Sequence, residues 1–296
     1  MSTSTRTRLL PREQWRERAA AHRERVGELV GPYLRQRADG RKHPVIDFLF
    51  TYYGHKPAQL RRWHPGFGVA LEDSAEYVDR RGYHRIEVGD ATGPVCTADP
   101  AFLRRRRDTV AFVAELLAAT ATRPPQLSCF GLHEWAMVYR SDEVRHSQVP
   151  LRLGRTGTDA VVESMSLRCT HFDAFRFFTP EAAPRNVEPL TRDDQIRREQ
   201  PGCLHASMDL YKWAFKLVPL IDSALLLDCF ALACAAREID MRASPYDLTG
   251  FGYSPIAIET PGGRAEYVRA QADLADRATG LRTALVHRCR ELLAED

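Results

Sequence analysis

From Ala224 to Ala236 the chain reads Ala-Leu-Leu-Leu-Asp-Cys-Phe-Ala-Leu-Ala-Cys-Ala-Ala, apolar on every face of a helix except at Asp228. A helix without a polar face must be buried on all sides. The other residues of this 296-residue chain therefore have to wrap it, which points to layers of helix packed around a central one. A buried ionised carboxylate is costly unless it is paired or hydrogen-bonded. Asp228 is thus either locked to a cation, with Arg237 and Arg242 as candidates, or kept for chemistry.

Periodicity and breakers predict the remaining elements. Pro11 opens a helix running to about Arg37 and stopped near Asp39-Gly40. A short aromatic helix follows His43-Pro44, from Val45 to about Tyr53. Asp99-Pro100 caps another helix that reaches about Ala121, before Pro124-Pro125. Residues 131–139 read as a short helix. Two strong helices are expected over 203–217 and 219–240, divided at Pro219, and a last one over about 264–293. Leu151–Leu153, Ala160–Val162 and Leu167–His171 read as short strands between glycine turns, with further short strands at Arg85–Val88 and Ile256–Ile258. The expected fold is mainly α: a helical single domain with a small β element in the middle, at about 149–173. A basic helix or arm at 1–40 precedes a catalytic or ligand-binding domain at 41–296.

Polar residues fall in apolar, aromatic-rich surroundings, which suggests a pocket. His205, Asp209, Lys212 and Lys216 share one helical stripe at i, i+4, i+7 and i+11. Beside it runs an apolar stripe that includes Tyr211. A desolvated Lys212 would have a lowered pKa and could act as nucleophile or base; a salt-bridged surface face is the plainer reading of the same stripe. If 167–173 is extended, His171 and Asp173 point to one side, as a metal pair or an acid–base couple would. Arg176 follows them. His43 and Asp47 stand at i and i+4 ahead of Tyr53, and His133-Glu134 and His146 enlarge the set. The loop after Asp240 holds Arg242, Tyr246 and Asp247. No HExxH and no helical Glu-x-x-His pair occurs, so a metal site rests on residue types and not on spacing. GxGxxG after a strand, Walker A and GxSxG are missing as well, against a dinucleotide enzyme, an NTPase or an α/β-hydrolase.

Composition narrows the partners. Residues 1–62 carry 14 Lys/Arg against 6 Asp/Glu, about +8, and the remainder 28 against 33, about −5. A basic N-terminal region is the footprint of a polyanion such as DNA, or equally of a solvated helix in an arginine-rich chain. The seven cysteines are scattered with no CxxC pair, which argues against a disulfide framework and for a reducing cytoplasm. No run of about 18 apolar residues exists and the N-terminus lacks a signal-peptide core, so neither a membrane span nor secretion is expected.

Five segments carry a resemblance: His43-Pro-Val-Ile-Asp-Phe-Leu-Phe50, Leu132-His-Glu-Trp-Ala-Met-Val-Tyr-Arg140, Glu199-Gln-Pro-Gly-Cys-Leu-His-Ala206, Met208-Asp-Leu-Tyr-Lys-Trp213 and Asp240-Met-Arg-Ala-Ser-Pro-Tyr-Asp247. Over about 40–285 the chain resembles a family of bacterial, often actinobacterial, proteins labelled 3-methyladenine DNA glycosylase. The helix-hairpin-helix signature of known glycosylases is not reproduced; His64-Pro-Gly-Phe-Gly68 is the nearest match, and no catalytic residue is transferred through it. The resemblance implies an N-glycosidic bond hydrolase that releases a modified purine from DNA, with Asp228 or Asp209 as the carboxylate and aromatic residues stacking the base. Two alternatives stand beside it. One is a metal-dependent enzyme on a small molecule, with ligands among His43, Asp47, His133, Glu134, His171, Asp173 and His205. The other is a non-catalytic nucleic-acid-binding protein using 1–62 and 103–107. No cofactor is expected under the first reading.

Overall fold

The computed structural model describes residues 7–40, 43–89, 91–141 and 149–295; His146 lies outside them. Its helices are α1 (Arg12–Ala38), α2 (Ile46–Thr51), α3 (Pro57–Leu60), α4 (Pro100–Ala121), α5 (Leu132–Ala136), α6 (Gly154–Ser164), α7 (Phe172–Phe175), α8 (Gln195–Arg198), α9 (Leu204–Lys216), α10 (Ser223–Arg242) and α11 (Pro261–Ala294). Several ends follow from turn chemistry. The Asp99 carboxylate accepts from the Ala101 N–H, with Pro100 in the first turn of α4. Asp222 does the same for Leu225 at the start of α10. Such caps satisfy N–H groups that have no partner inside the helix.

The chain is mainly α with a small β element, as the sequence predicts, but the β element is elsewhere. Strands β1 (Arg8–Leu10), β2 (Val69–Leu71), β3 (Tyr83–Ile86) and β4 (Val95–Ala98) form one sheet in the order β1-β2-β4-β3. β1 runs parallel to β2, and the other pairs are antiparallel. The stretch 149–173 is instead helical in α6 and the start of α7. Val161 and Val162 suggested a strand, yet Thr158, Val161 and Val162 are the buried residues of α6, a helical spacing. Leu151 and Leu167 make only isolated bridges, to Tyr246 and Asn186. Ile256 and Ile258 are buried core residues outside any strand.

α10 lies at the centre. It packs on α9 across the turn at 217–222 and on α11, while α11 also packs on α4. Phe230, Cys229, Ala233 and Ala236 are fully buried there, together with Met208, Leu210 and Tyr211 of α9. Residues 7–40 are tied into the fold: β1 sits in the sheet, and Val26, Val30 and Tyr33 of α1 belong to the main core. Among the described residues no helix is long and apolar enough to cross a membrane.

A second core under the sheet joins Trp15, Trp63, Leu71, Tyr77 and Tyr83, and His64 bridges it to α10. Its N–H donates to the Ser223 hydroxyl at 2.8 Å, and its Nδ1 meets the Tyr83 hydroxyl at 2.8 Å. Burial, and then Arg80, pushes the His64 pKa down to about 3. Between the ordinary histidine value and that one, the unfolded chain binds a proton that the folded chain refuses, so stability falls as pH falls. From pH 7 to pH 5 this single group should remove about 2 kcal/mol. Urea unfolding at both pH values, on the wild type and on His64→Gln, checks it: the variant should lose less on acidification, and an equal loss would contradict the assignment.

Candidate metal centre

Three helices bring the polar residues together. Gly131 initiates α5 with a φ of +70°, and a Cβ there would meet Ala243 and Tyr267 at 3.3–3.4 Å. Glycine at this point therefore sets the closeness of α5 to the end of α10, and the Trp135 indole N–H fastens the two by donating to the Ala243 carbonyl at 2.8 Å. His133 and Glu134 of α5 consequently face Arg237 and Asp240 of α10. The first turn of α9 adds His205, whose ring lies 4.4 Å from that of His133, edge to face.

His133, His205 and Asp240 are buried, and one ligand atom from each lies within 4.8 Å of the others. His133 Nε2 and Asp240 Oδ1 stand 2.7 Å apart, yet neither atom is aligned in a hydrogen bond. Asp240 Oδ2 is held separately by Arg237 Nη1 at 2.5 Å, and the same Nη1 donates to Glu134 Oε1 at 2.6 Å. Burial would raise the Asp240 carboxyl, but His133 and Arg237 hold it below the usual carboxylate range. Burial drives His205 well below its ordinary pKa, and His133 adds to the effect, so His205 keeps a free lone pair at neutral pH.

A second group adjoins the first. The His171 ring stacks on His205 at 5.4 Å. Its Nδ1 is 3.2 Å from Glu199 Oε1 and its Nε2 3.5 Å from Asp209 Oδ2. With a carboxylate at each nitrogen, His171 resists the lowering effect of its burial, and its pKa rises to about 10. This is the geometry of an imidazolium held between two acids, whereas the first group brings one ligand atom from each of three side chains together. His171, Glu199 and Asp209 also have metal-ligand spacing, but Asp209 is already occupied. Tyr53 Oη donates to Oδ1 at 2.7 Å and Lys212 Nζ to Oδ2 at 2.8 Å.

Lys212 also donates to Asp173 Oδ2 at 2.7 Å. Burial would lower its pKa, but Asp209 and Asp173 raise it further. It is thus held as an ammonium, the reverse of the depressed lysine that a nucleophile requires, and the expected role as a base is corrected accordingly.

Beside the network opens a cavity of about 300 Å³. Glu134, Asp173, His205 and Arg237 supply its polar wall, and Phe48, Tyr52 and Phe177 its aromatic one. Phe48 and Tyr52 stack at 4.7 Å with 10° between their planes, and the Arg237 guanidinium lies 4.0 Å over Phe48. A polar end beside a flat apolar wall suits a small ring-bearing ligand.

Of the candidate residues, His133, Glu134, His171, Asp173, His205, Asp209, Lys212 and Tyr53 meet in this one network. Arg176 stands at its rim, 3.5 Å from Asp173 and partly exposed. Tyr211 lies behind Tyr53 in the core, 5.8 Å ring to ring. The others are placed elsewhere. Asp228 is not buried: its side chain is 43% exposed and pairs with Arg25 of α1 at 2.6 Å, not with Arg237 or Arg242. Asp47 takes the Tyr33 hydroxyl and the His43 N–H, while the His43 ring faces Tyr253 and Phe251. Arg242 binds the Ser254 carbonyl and Glu266. Tyr246 packs in a small core with Val45 and Val138, and Asp247 caps Thr249. Sequence reasoning missed Asp240 and Glu199 as site residues and took Arg237 only as a partner for Asp228. The i, i+3 spacing of Arg237 and Asp240 was the available signal.

No family model matches the chain, and neither a curated protein nor a solved structure matches it.

Proposed function

We propose that the protein is a metal-dependent enzyme acting on a small, ring-bearing molecule, with His133, His205 and Asp240 as the ligands. The observation that carries this is the buried convergence of those three groups, with His133 Nε2 and Asp240 Oδ1 2.7 Å apart and neither in an aligned hydrogen bond. Two histidines and one carboxylate form a common ligand set for Fe(II), Zn and related ions, one that leaves coordination positions open for substrate or water. Ligands of this type need outer partners that fix their orientation, and Arg237 serves Asp240 in that way. The neutral state of His205 is the one a ligand requires. A bound divalent ion would supply Lewis-acid chemistry or an activated water. Glu134 and Asp173 line the cavity as carboxylates held by Arg237 and Lys212, while the Phe48–Tyr52 pair and Phe177 grip a planar ring.

The N-glycosidic reading draws on the same aromatic wall, which would stack a purine. It is weakened by its carboxylates: Asp209 is engaged by Tyr53 and Lys212, and Asp228 is remote from the cavity lining. One assay separates the two. The protein is offered a panel of heteroaromatic amides, esters and nucleosides, and DNA carrying 3-methyladenine, before and after chelation. Turnover of a small substrate that stops with chelator and returns with a divalent ion is the expected result. Base release from DNA that is indifferent to the chelator would favour the glycosidic reading.

A further inference from the structure

Away from the network, a cleft of about 710 Å³ is lined by Arg62, Arg80, Arg81, Arg106 and Lys216 against a single carboxylate, Asp79. Like charges gathered in one concavity repel one another and raise the local concentration of an anion. These cations are only partly neutralised. Arg80 reaches Glu76 at 3.4 Å. Arg106 spends one nitrogen on the Lys216 carbonyl at 2.5 Å, and its Nε is buried with no hydrogen-bond partner. Among the described residues, no carboxylate pairs with Arg62, Arg81 or Lys216. The cleft also has a flat wall: His55 and Phe215 stack with ring centres 3.5 Å apart and planes at 19°, and Phe102 is a third ring in the lining.

We propose that this cleft binds a phosphorylated small molecule bearing a planar ring, of the nucleoside polyphosphate class, with Arg62, Arg81 and Lys216 on the phosphates and the His55–Phe215 pair under the ring. Several cations gathered in one place, Arg62, Arg81 and Lys216 with no carboxylate partner among the described residues, match a compact, multiply charged anion, although the Lys216 ammonium also lies 4.8 Å over the Trp213 ring, and the volume is that of an ordinary small-ligand site. A nucleic-acid strand asks for an extended basic track. On α1, three of the seven arginines, Arg12, Arg25 and Arg37, are already paired with Asp73, Asp228 and Asp47. The proposal is independent of the metal centre, since none of these residues belongs to it.

Titration calorimetry of the full chain at low salt tests it, with ATP, inorganic pyrophosphate and a 20-residue oligo-deoxythymidine as probes. ATP and pyrophosphate should each bind one per chain, ATP the tighter, and added salt should weaken both. The Arg62→Ala/Lys216→Ala pair, both at exposed positions, should lose at least tenfold in affinity, and Arg81→Glu should lose at least as much. Arg18→Ala on α1 and Asp240→Asn at the metal centre should bind as the wild type does. Absence of ATP and pyrophosphate binding would overturn the proposal, as would affinity unchanged in both cleft variants. Tighter binding of the oligonucleotide, with displacement of ATP, would overturn it in favour of a nucleic-acid site.

Discussion

Arg237→Ala is expected to destabilise the fold by about 3–5 kcal/mol, because it strands two buried carboxylates without their cation. Arg237 is 1% exposed, and its Nη1 holds both Glu134 and Asp240. Its guanidinium also covers the Phe48 ring, so packing is lost along with charge. Denaturant unfolding measures the loss. A double-mutant cycle with Asp240→Asn isolates the electrostatic part: neutralising Asp240 should be less harmful once Arg237 is gone, with a coupling of about 1–3 kcal/mol. Additive losses would mean that the pair does not depend on its charges.

The second large effect falls on metal affinity. His205→Ala should weaken binding of Zn²⁺ or Mn²⁺ by about 100-fold or more, a larger change than the 10–100-fold typical of losing an outer-shell partner. Its cost in stability should be moderate by comparison, because its ring edges a cavity and no carboxylate is stranded. Competition against a chromogenic chelator gives the affinities. His171→Gln makes a useful contrast, since it disturbs the neighbouring clamp without removing one of the three ligands. If both variants bind the ion equally well, the ligand assignment is wrong.

How far the site could be read from the chain depended on which contacts were local. The α9 stripe was legible because His205, Asp209 and Lys212 obey the helical period, and all three do reach the network. His171 and Asp173 were paired for a different reason than the real one. They are not alternate residues of a strand; His171 is the N-cap of α7 and Asp173 lies in its first turn, and both still meet α9. The central burial of α10 was legible from hydropathy alone. Asp228 was misread because an all-round apolar pattern does not reveal where a neighbouring helix leaves a gap. Arg25 fills that gap from 203 positions away, a pairing that chain order cannot display. Glu199 follows the charged run Arg192–Arg198, a composition typical of surface, yet it is 2% exposed and accepts from Gln195 at 2.7 Å. Of the sheet, only Arg85–Val88, which overlaps β3, was read as a strand: its strands are three or four residues long, and β1 finds β2 only after α1, α2 and α3 have intervened.

Metal content tests the central claim most directly. The wild type and His205→Ala, purified without chelators or affinity metals, are analysed by plasma mass spectrometry as isolated, and again after chelation and reloading with Zn²⁺, Mn²⁺ or Fe²⁺. About one transition ion per chain is expected in the wild type, retained through desalting and largely absent from the variant. A wild type that carries no transition ion as isolated and takes up none on reloading would contradict a metal centre at His133, His205 and Asp240.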